Sequence, residues 1–144
     1  MIVTSGCGQI GIAIVKDLRE LLCRPYQHEA IVKEVFEAVM PVVVFNTAGL
    51  IPQIAKRLNI QNEKEYVAVN LRGTRNVLDV ATAVGSVKAF IFTSSTDVVE
   101  GDSWQKLIGV LDNPYAKSKV HVIFLLFLLV NRFEKVFLVV VYTI

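Results

Sequence analysis

A short apolar stretch over residues 1–3 runs into Thr4-Ser5-Gly6-Cys7-Gly8-Gln9-Ile10-Gly11, and residues 12–22 follow with their apolar positions on one helical face. The pattern predicts a strand, a glycine turn and a helix. Beyond a break at Arg24-Pro25, Ile31, Val32, Val35, Phe36, Val39 and Met40 recur at helical spacing until Pro41 ends them. A second helix over residues 30–40 is therefore expected directly after the first, with no strand between. Val42-Val43-Val44-Phe45 is a continuous β-branched and aromatic run, the pattern of a parallel strand buried on both faces, closed by Asn46-Thr47-Ala48-Gly49. A long helix over residues 63–84 should stop at Gly85, which tolerates the left-handed conformation of a helix end.

Ala89-Phe90-Ile91-Phe92 reads as another buried strand and ends at Thr93-Ser94-Ser95. Asn113-Pro114 then opens a helix carrying Tyr115 to at least His121, since proline suits a first helical turn. The last quarter holds two apolar runs, residues 122–130 and 136–142, separated by Asn131-Arg132-Phe133-Glu134-Lys135. Neither reaches the roughly 18 residues a bilayer span needs. The first extends the Tyr115 helix through a core, and the second is β-branched enough to form one more buried strand. Alternating strands and helices imply an α/β, Rossmann-type parallel sheet flanked by helices, with right-handed crossovers and functional residues at the carboxyl ends of the strands. At 144 residues, one domain spanning 1–144 is expected.

Composition sharpens this outline. With 53% hydrophobic and 19% charged residues and a mean hydropathy of +0.53, the chain is too apolar for disorder. The excess is either buried or in peripheral contact with a membrane through the apolar C-terminal quarter. A net charge of +2 with fifteen scattered Lys and Arg residues shows no nucleic-acid footprint. Cys7 and Cys23 lack the number and spacing of a disulfide framework or zinc site, and His28 and His121 stand apart from other ligands, so no metal is expected. No basic segment followed by an apolar leader opens the chain, which makes the cytoplasm the expected compartment.

Three features carry chemistry. Gly6, Gly8 and Gly11 form G-x-G-x-x-G between a strand and a helix, where backbone amides and the helix dipole can hold a pyrophosphate. Tyr115 and Lys119 lie four apart on one helical face, so that a cation can stabilise a phenolate that exchanges a proton with an alcohol or ketone. Ser94 and Ser95 end a buried strand, and either hydroxyl could donate to a substrate oxygen. Each is weak alone; their order along the chain is what makes them informative.

In that order they resemble the extended short-chain dehydrogenases/reductases. Residues 4–11 are similar to the T-G-x-x-G-x-x-G turn, Val44-Phe45-Asn46-Thr47-Ala48 to the fourth strand and its end, and Val69-Asn70-Leu71-Arg72-Gly73-Thr74-Arg75-Asn76-Val77-Leu78 to the V-N-x-x-G-T-x-N-x-L helix. Phe90-Ile91-Phe92-Thr93-Ser94-Ser95 and Tyr115-Ala116-Lys117-Ser118-Lys119 complete a resemblance that covers residues 1–121. The stretch Thr93-Ser94-Ser95-Thr96-Asp97-Val98-Val99 resembles the 3β-hydroxysteroid (sterol) dehydrogenase branch; Val99 stands where sugar-nucleotide epimerases carry the tyrosine of V-Y-G.

The resemblance implies an NAD- or NADP-dependent oxidation of a steroid or sterol 3β-hydroxyl, and association with the endoplasmic reticulum membrane as an alternative to the cytoplasm. It implies Tyr115 as general acid/base, Lys119 as the residue that lowers the tyrosine pKa and holds the nicotinamide ribose, and Ser95 as the ligand of the reacting oxygen, with Ser94 as fallback. Gly6, Gly8, Gln9, Ile10, Gly11, Thr47, Ala48, Asn70, Tyr115 and Lys119 would bind the cofactor.

The chain also departs from the family. Ser5 replaces the first glycine of the turn, and the thirty residues between Gly11 and Val42 are too few for the usual second and third strands. Those strands are expected to be missing, which would leave an exposed edge on the first strand. Glu29 and Glu34 lie near the offset of the ribose-binding carboxylate, yet on a helix, so neither takes that role. A C-terminal substrate lobe is expected to be absent. The competing expectations are a catalytically inactive remnant of the fold and a sugar-nucleotide epimerase or reductase relative.

Overall fold

The computed structural model describes residues 1–4, 21–22, 29–59, 62–95, 98 and 113–141. The glycine-turn residues Gly6, Gly8, Gln9, Ile10 and Gly11 lie outside the described residues, as do Cys7, Cys23 and His28. Strand β1 (Ile2–Thr4) is followed by β2 (Leu21–Leu22), helix α1 (Glu29–Val39), β3 (Val43–Asn46) and the short α2 (Pro52–Arg57). Helix α3 (Glu63–Tyr66) passes through a π-helical segment (Val67–Arg72) into α4 (Gly73–Val84). Strand β4 (Ala89–Ser95), α5 (Pro114–Leu129), a 3-10 turn (Val130–Arg132) and β5 (Lys135–Val141) complete the described elements.

The strands form one sheet in the order β2-β1-β3-β4-β5, and every pair is parallel. The fold is the expected α/β Rossmann type. Val3 pairs with Phe45 and Phe45 with Ile91, so the two continuous apolar runs lie side by side at the centre. Ile2, Val44, Phe90 and Phe92 of the sheet pack with Val32 and Phe36 of α1, Val77, Leu78 and Ala81 of α4, and Val122 and Leu126 of α5. Phe36, Phe90, Val44, Val77 and Leu78 are completely buried, and each such side chain contributes about 1.5–3 kcal/mol of transfer free energy.

Local chemistry sets the element ends that matter for the site. The Asn62 side chain accepts a hydrogen bond from Glu65 N at 3.0 Å and opens α3, and Gly85 ends α4 with φ +71°, a conformation that strains residues with a Cβ. Asn113 Oδ1 accepts from Tyr115 N at 3.0 Å, which caps α5 with Pro114 in its first turn. The apolar run after Lys119 does prolong this helix: Val122 and Leu126 face the core, whereas Phe124, Phe127 and Leu128 are exposed. Among the described residues no helix is long and apolar enough to cross a membrane.

Three expectations are corrected. Leu21–Leu22, expected as the end of the first helix, instead pairs in parallel with Val3 and Thr4 as β2, so a strand precedes α1; residues 12–20 of that expected helix lie outside the described residues. Two leucines fit either periodicity, and pairing with β1, a tertiary contact, decides between them. Relative to the doubly-wound order 3-2-1-4-5-6, the five strands therefore occupy the places 2-1-4-5-6, and only the third place is unfilled among the described residues. Strand β1 consequently has neighbours on both sides, and Ile2, Val3 and Thr4 are buried rather than exposed at an edge. Finally, residues 63–84 do not form one regular helix, because the π-helical segment interrupts it at Asn70.

Candidate active site

The carboxyl ends of β1, β3 and β4 lie side by side, and the loop after β3 is tied down to them. Thr4 Oγ1 donates to Asn46 Oδ1 at 2.5 Å, Asn46 Nδ2 donates to Thr74 Oγ1 at 3.0 Å, and Thr47 Oγ1 donates to Thr4 O at 2.5 Å. Ala48 N donates to Thr4 Oγ1 at 3.4 Å. The expected cofactor contacts Thr47 and Ala48 thus stand at the end of β3, fixed against the end of β1.

Asn70 holds the next part of that loop. It is 1% exposed, and the widened π-helical turn carries its carboxamide to Leu50, whose N donates to Asn70 Oδ1 at 2.6 Å while Asn70 Nδ2 donates to Leu50 O at 3.1 Å. Nδ2 also donates to Ser118 Oγ at 2.8 Å, and Ser118 Oγ donates to Tyr115 O at 2.7 Å. One side chain therefore links the β3 loop to the first turn of α5.

On that turn Tyr115 and Lys119 are both buried, and they share one side of the helix as their spacing requires. The Tyr115 ring packs against Tyr66 with centroids 6.3 Å apart, in a small cluster with Leu50 and Ala55. Lys119 Nζ lies 5.8 Å from the Tyr115 ring centroid and 4.8 Å from that of Phe92, and it donates to Thr93 O on β4 at 3.1 Å. Burial pushes the Lys119 ammonium down from 10.5 to about 8. At neutral pH it remains mostly cationic. Ser95 ends β4 two residues beyond that carbonyl and is buried, and Ser94, also buried, has no hydrogen-bond partner for its hydroxyl among the described residues.

Residues 26–122, well over half of the chain, match the 3-beta hydroxysteroid dehydrogenase/isomerase family. The chain belongs to that family. No curated protein matches it by sequence. Solved structures share its fold: dTDP-4-dehydrorhamnose reductase from Bacillus anthracis, in complex with NADP, is 19% identical with a TM-score of 0.75, covering 98% of this chain and 52% of its own. RMD from Pseudomonas aeruginosa, complexed with NADPH, is 23% identical with a TM-score of 0.78, covering 99% and 52%. UDP-glucose 4-epimerase from Thermus thermophilus, in complex with NAD, is 21% identical with a TM-score of 0.71, covering 98% and 53%. The chain spans about half the length of these structures.

Within this member of the 3-beta hydroxysteroid dehydrogenase/isomerase family, the structure brings Tyr115, Lys119 and Asn70 together and sets Ser94 and Ser95 on the neighbouring strand end. Sequence reading had not singled out Ser118, Gly49, Phe92 or the Thr93 carbonyl. A methyl group on Gly49 would stand 3.2 Å from Lys119 Nζ and 3.4 Å from Asn70 Oδ1, so the loop backbone passes directly against the lysine head. Ser118 was detectable in principle, lying between the two helix residues that carry the motif; the role of Thr93 is a main-chain one and leaves no mark on the residue type.

A nicotinamide dinucleotide fits this set of groups. A buried ammonium, a phenol and a buried hydroxyl that has no partner among the described residues stand at or beside the end of β4, next to a loop in which a methyl at Gly49 would press on the ammonium at 3.2 Å. Such donors suit the hydroxyls of a ribose.

Proposed function

We propose that the chain is the cofactor-binding part of an NAD(P)-dependent oxidoreductase that oxidises the 3β-hydroxyl of a steroid or sterol. The observation that carries the reading is the pairing of two buried groups, Tyr115 and Lys119, with the lysine head fixed at the carboxyl end of β4 and 5.8 Å from the tyrosine ring. Family membership supports the steroid class, while the structural neighbours, at 19–23% identity, support only the fold.

In this reading Tyr115 Oη takes the proton from the substrate hydroxyl, and the Lys119 cation stabilises the phenolate form and holds ribose hydroxyls. Ser95 hydrogen-bonds the reacting oxygen. Asn70 keeps the β3 loop and the start of α5 in register through Leu50 and Ser118. Gly6, Gly8, Gln9, Ile10 and Gly11 present amides to the pyrophosphate, and Thr47 and Ala48 line the path to the nicotinamide. The bound nicotinamide supplies the hydride chemistry.

The test is to incubate the chain with NAD or NADP and a 3β-hydroxysteroid, following reduced nicotinamide by absorbance. Slow turnover is expected, and Tyr115→Phe should lower it by about 10²–10⁴-fold. Turnover of a UDP- or dTDP-linked sugar with none of the steroid would replace this substrate class by the sugar-nucleotide one. Dinucleotide binding with no turnover of either class would identify the inactive remnant.

A further inference from the structure

Ser94 Oγ is the buried side-chain polar atom that has no hydrogen-bond partner among the described residues, and the residue is only 5% exposed. Folded proteins seldom leave such a group unpaired, because it has given up water and received nothing in return. Where one persists, it points to a partner that arrives later.

Its place in the fold narrows that partner. Ser94 is the penultimate residue of β4, at the carboxyl end of a central parallel strand, where α/β sheets take their ligands. Side chains alternate along a strand, so Ser94 lies on the same face as Phe92. The Phe92 ring is 4.8 Å from Lys119 Nζ, which marks that face as the one turned toward Lys119 and α5.

The groups around it are already committed. Thr93 O accepts from Lys119, Thr93 Oγ1 donates to Asn46 O at 3.4 Å, and Ser118 Oγ both accepts from Asn70 and donates to Tyr115 O. None of these bonds involves Ser94. A hydroxyl both donates and accepts, and the ligand groups expected at this strand end offer it matching oxygens: a ribose hydroxyl, or the alcohol or ketone oxygen of a substrate.

We infer that Ser94 is a ligand-contacting residue, whose hydroxyl forms its hydrogen bond to an oxygen of the bound cofactor or substrate only when that ligand is in place. The inference rests on the oxidoreductase reading above and adds to it a contact distinct from that of Ser95. It also gives Ser94 a signature that a structural serine would not show. Removing the hydroxyl should relieve the free chain and weaken the complex.

The experiment uses the full 144-residue chain and its Ser94→Ala variant. Thermal midpoints are measured on the free proteins, with NADP or NAD alone, and with dinucleotide plus a 3β-hydroxysteroid; dinucleotide affinity is measured by calorimetry. The expected result is a free midpoint equal to or above the parent's, with affinity lowered about five- to tenfold, equivalent to about 1–1.4 kcal/mol. Loss in the dinucleotide titration identifies the ribose as the partner; loss confined to the steroid-dependent shift identifies the substrate oxygen. A lower free midpoint would mean that the hydroxyl is already satisfied without ligand, and unchanged binding in both titrations would mean that no ligand uses it. Either result overturns the inference while leaving the oxidoreductase reading intact. A parent chain that binds neither dinucleotide overturns both.

Discussion

Lys119 Nζ donates a hydrogen bond to the main-chain oxygen of Thr93 at 3.1 Å, which anchors the start of α5 to the end of β4 through a buried ammonium. A lysine head in that position costs stability, and the cost depends on pH. The ordinary value of the group is 10.5 and burial pushes it to about 8. Between those two values the unfolded chain keeps the proton and the folded chain releases it, so the free energy of unfolding rises with pH across that window. Below pH 8 the penalty is present in full. At 1.36 kcal/mol per unit the rise amounts to about 3 kcal/mol. Lys119→Met should abolish the rise and unfold at a higher temperature than the parent at pH 7, a gain partly offset by the lost bond to Thr93. Denaturation curves of both proteins from pH 7 to 10.5 check this; an identical pH dependence in the two would show that Lys119 is not the group responsible.

Asn70→Ala removes the partners of Leu50 N, Leu50 O and Ser118 Oγ at once, all in a buried setting. A loss of about 3 kcal/mol is expected in urea denaturation. Asn70→Asp keeps an acceptor for Leu50 N but no donor for Leu50 O or Ser118, so it should recover only part of the loss.

Gly49→Ala tests the close passage of the β3 loop beside the lysine. The added methyl at 3.2 Å from Lys119 Nζ forces the ammonium to move, and a lysine head moves more easily than backbone. Stability should change by less than about 1 kcal/mol, since the strain is offset by the lower entropy of the unfolded chain. Dinucleotide affinity should fall about tenfold, because the cation no longer stands where the site needs it.

The finding of β2 gives a cofactor preference that the sequence alone did not. Leu22, the last residue of β2, pairs with Thr4, the last residue of β1, and the end of the strand beside β1 is where a Rossmann fold reads the adenosine ribose. The next residues in the sequence are Cys23 and Arg24, which include no carboxylate, and an arginine following that strand in sequence is the residue type that suits a 2′-phosphate. NADP should bind about ten- to a hundredfold more tightly than NAD, the worth of one charge-assisted contact. Arg24→Ser should remove the difference, which competition titration of the two dinucleotides would measure.

Much of this architecture was legible in the residues. Val43-Val44-Phe45 and Ala89-Phe90-Ile91-Phe92 announced central parallel strands because their apolar runs show no polar alternation, although Val42 precedes β3 and is 50% exposed and Val43, Phe45, Ala89 and Ile91 are only partly buried; Gly85 announced the helix end that its φ of +71° confirms. The β-branched run after Lys135 became β5 although it lies beyond the part that resembles the dehydrogenases. What was hidden depends on tertiary contacts. Leu21–Leu22 is a strand only because β1 is there to pair with it, and the π-helical turn accompanies a carboxamide that reaches Leu50. Tyr115 and Lys119 were readable from their spacing, whereas the partners that fix them, Thr93 O and Ser118 Oγ, were not.

The central claim is that the site at Tyr115 and Lys119 binds a nicotinamide dinucleotide. Calorimetric titration of NADP into the chain and into Lys119→Met tests it most directly. Saturable binding to the parent is expected, with an affinity lower by about ten- to a hundredfold in the variant, which folds at least as stably but has lost its charged donor. Absence of binding to the parent, or equal binding to both proteins, would contradict it.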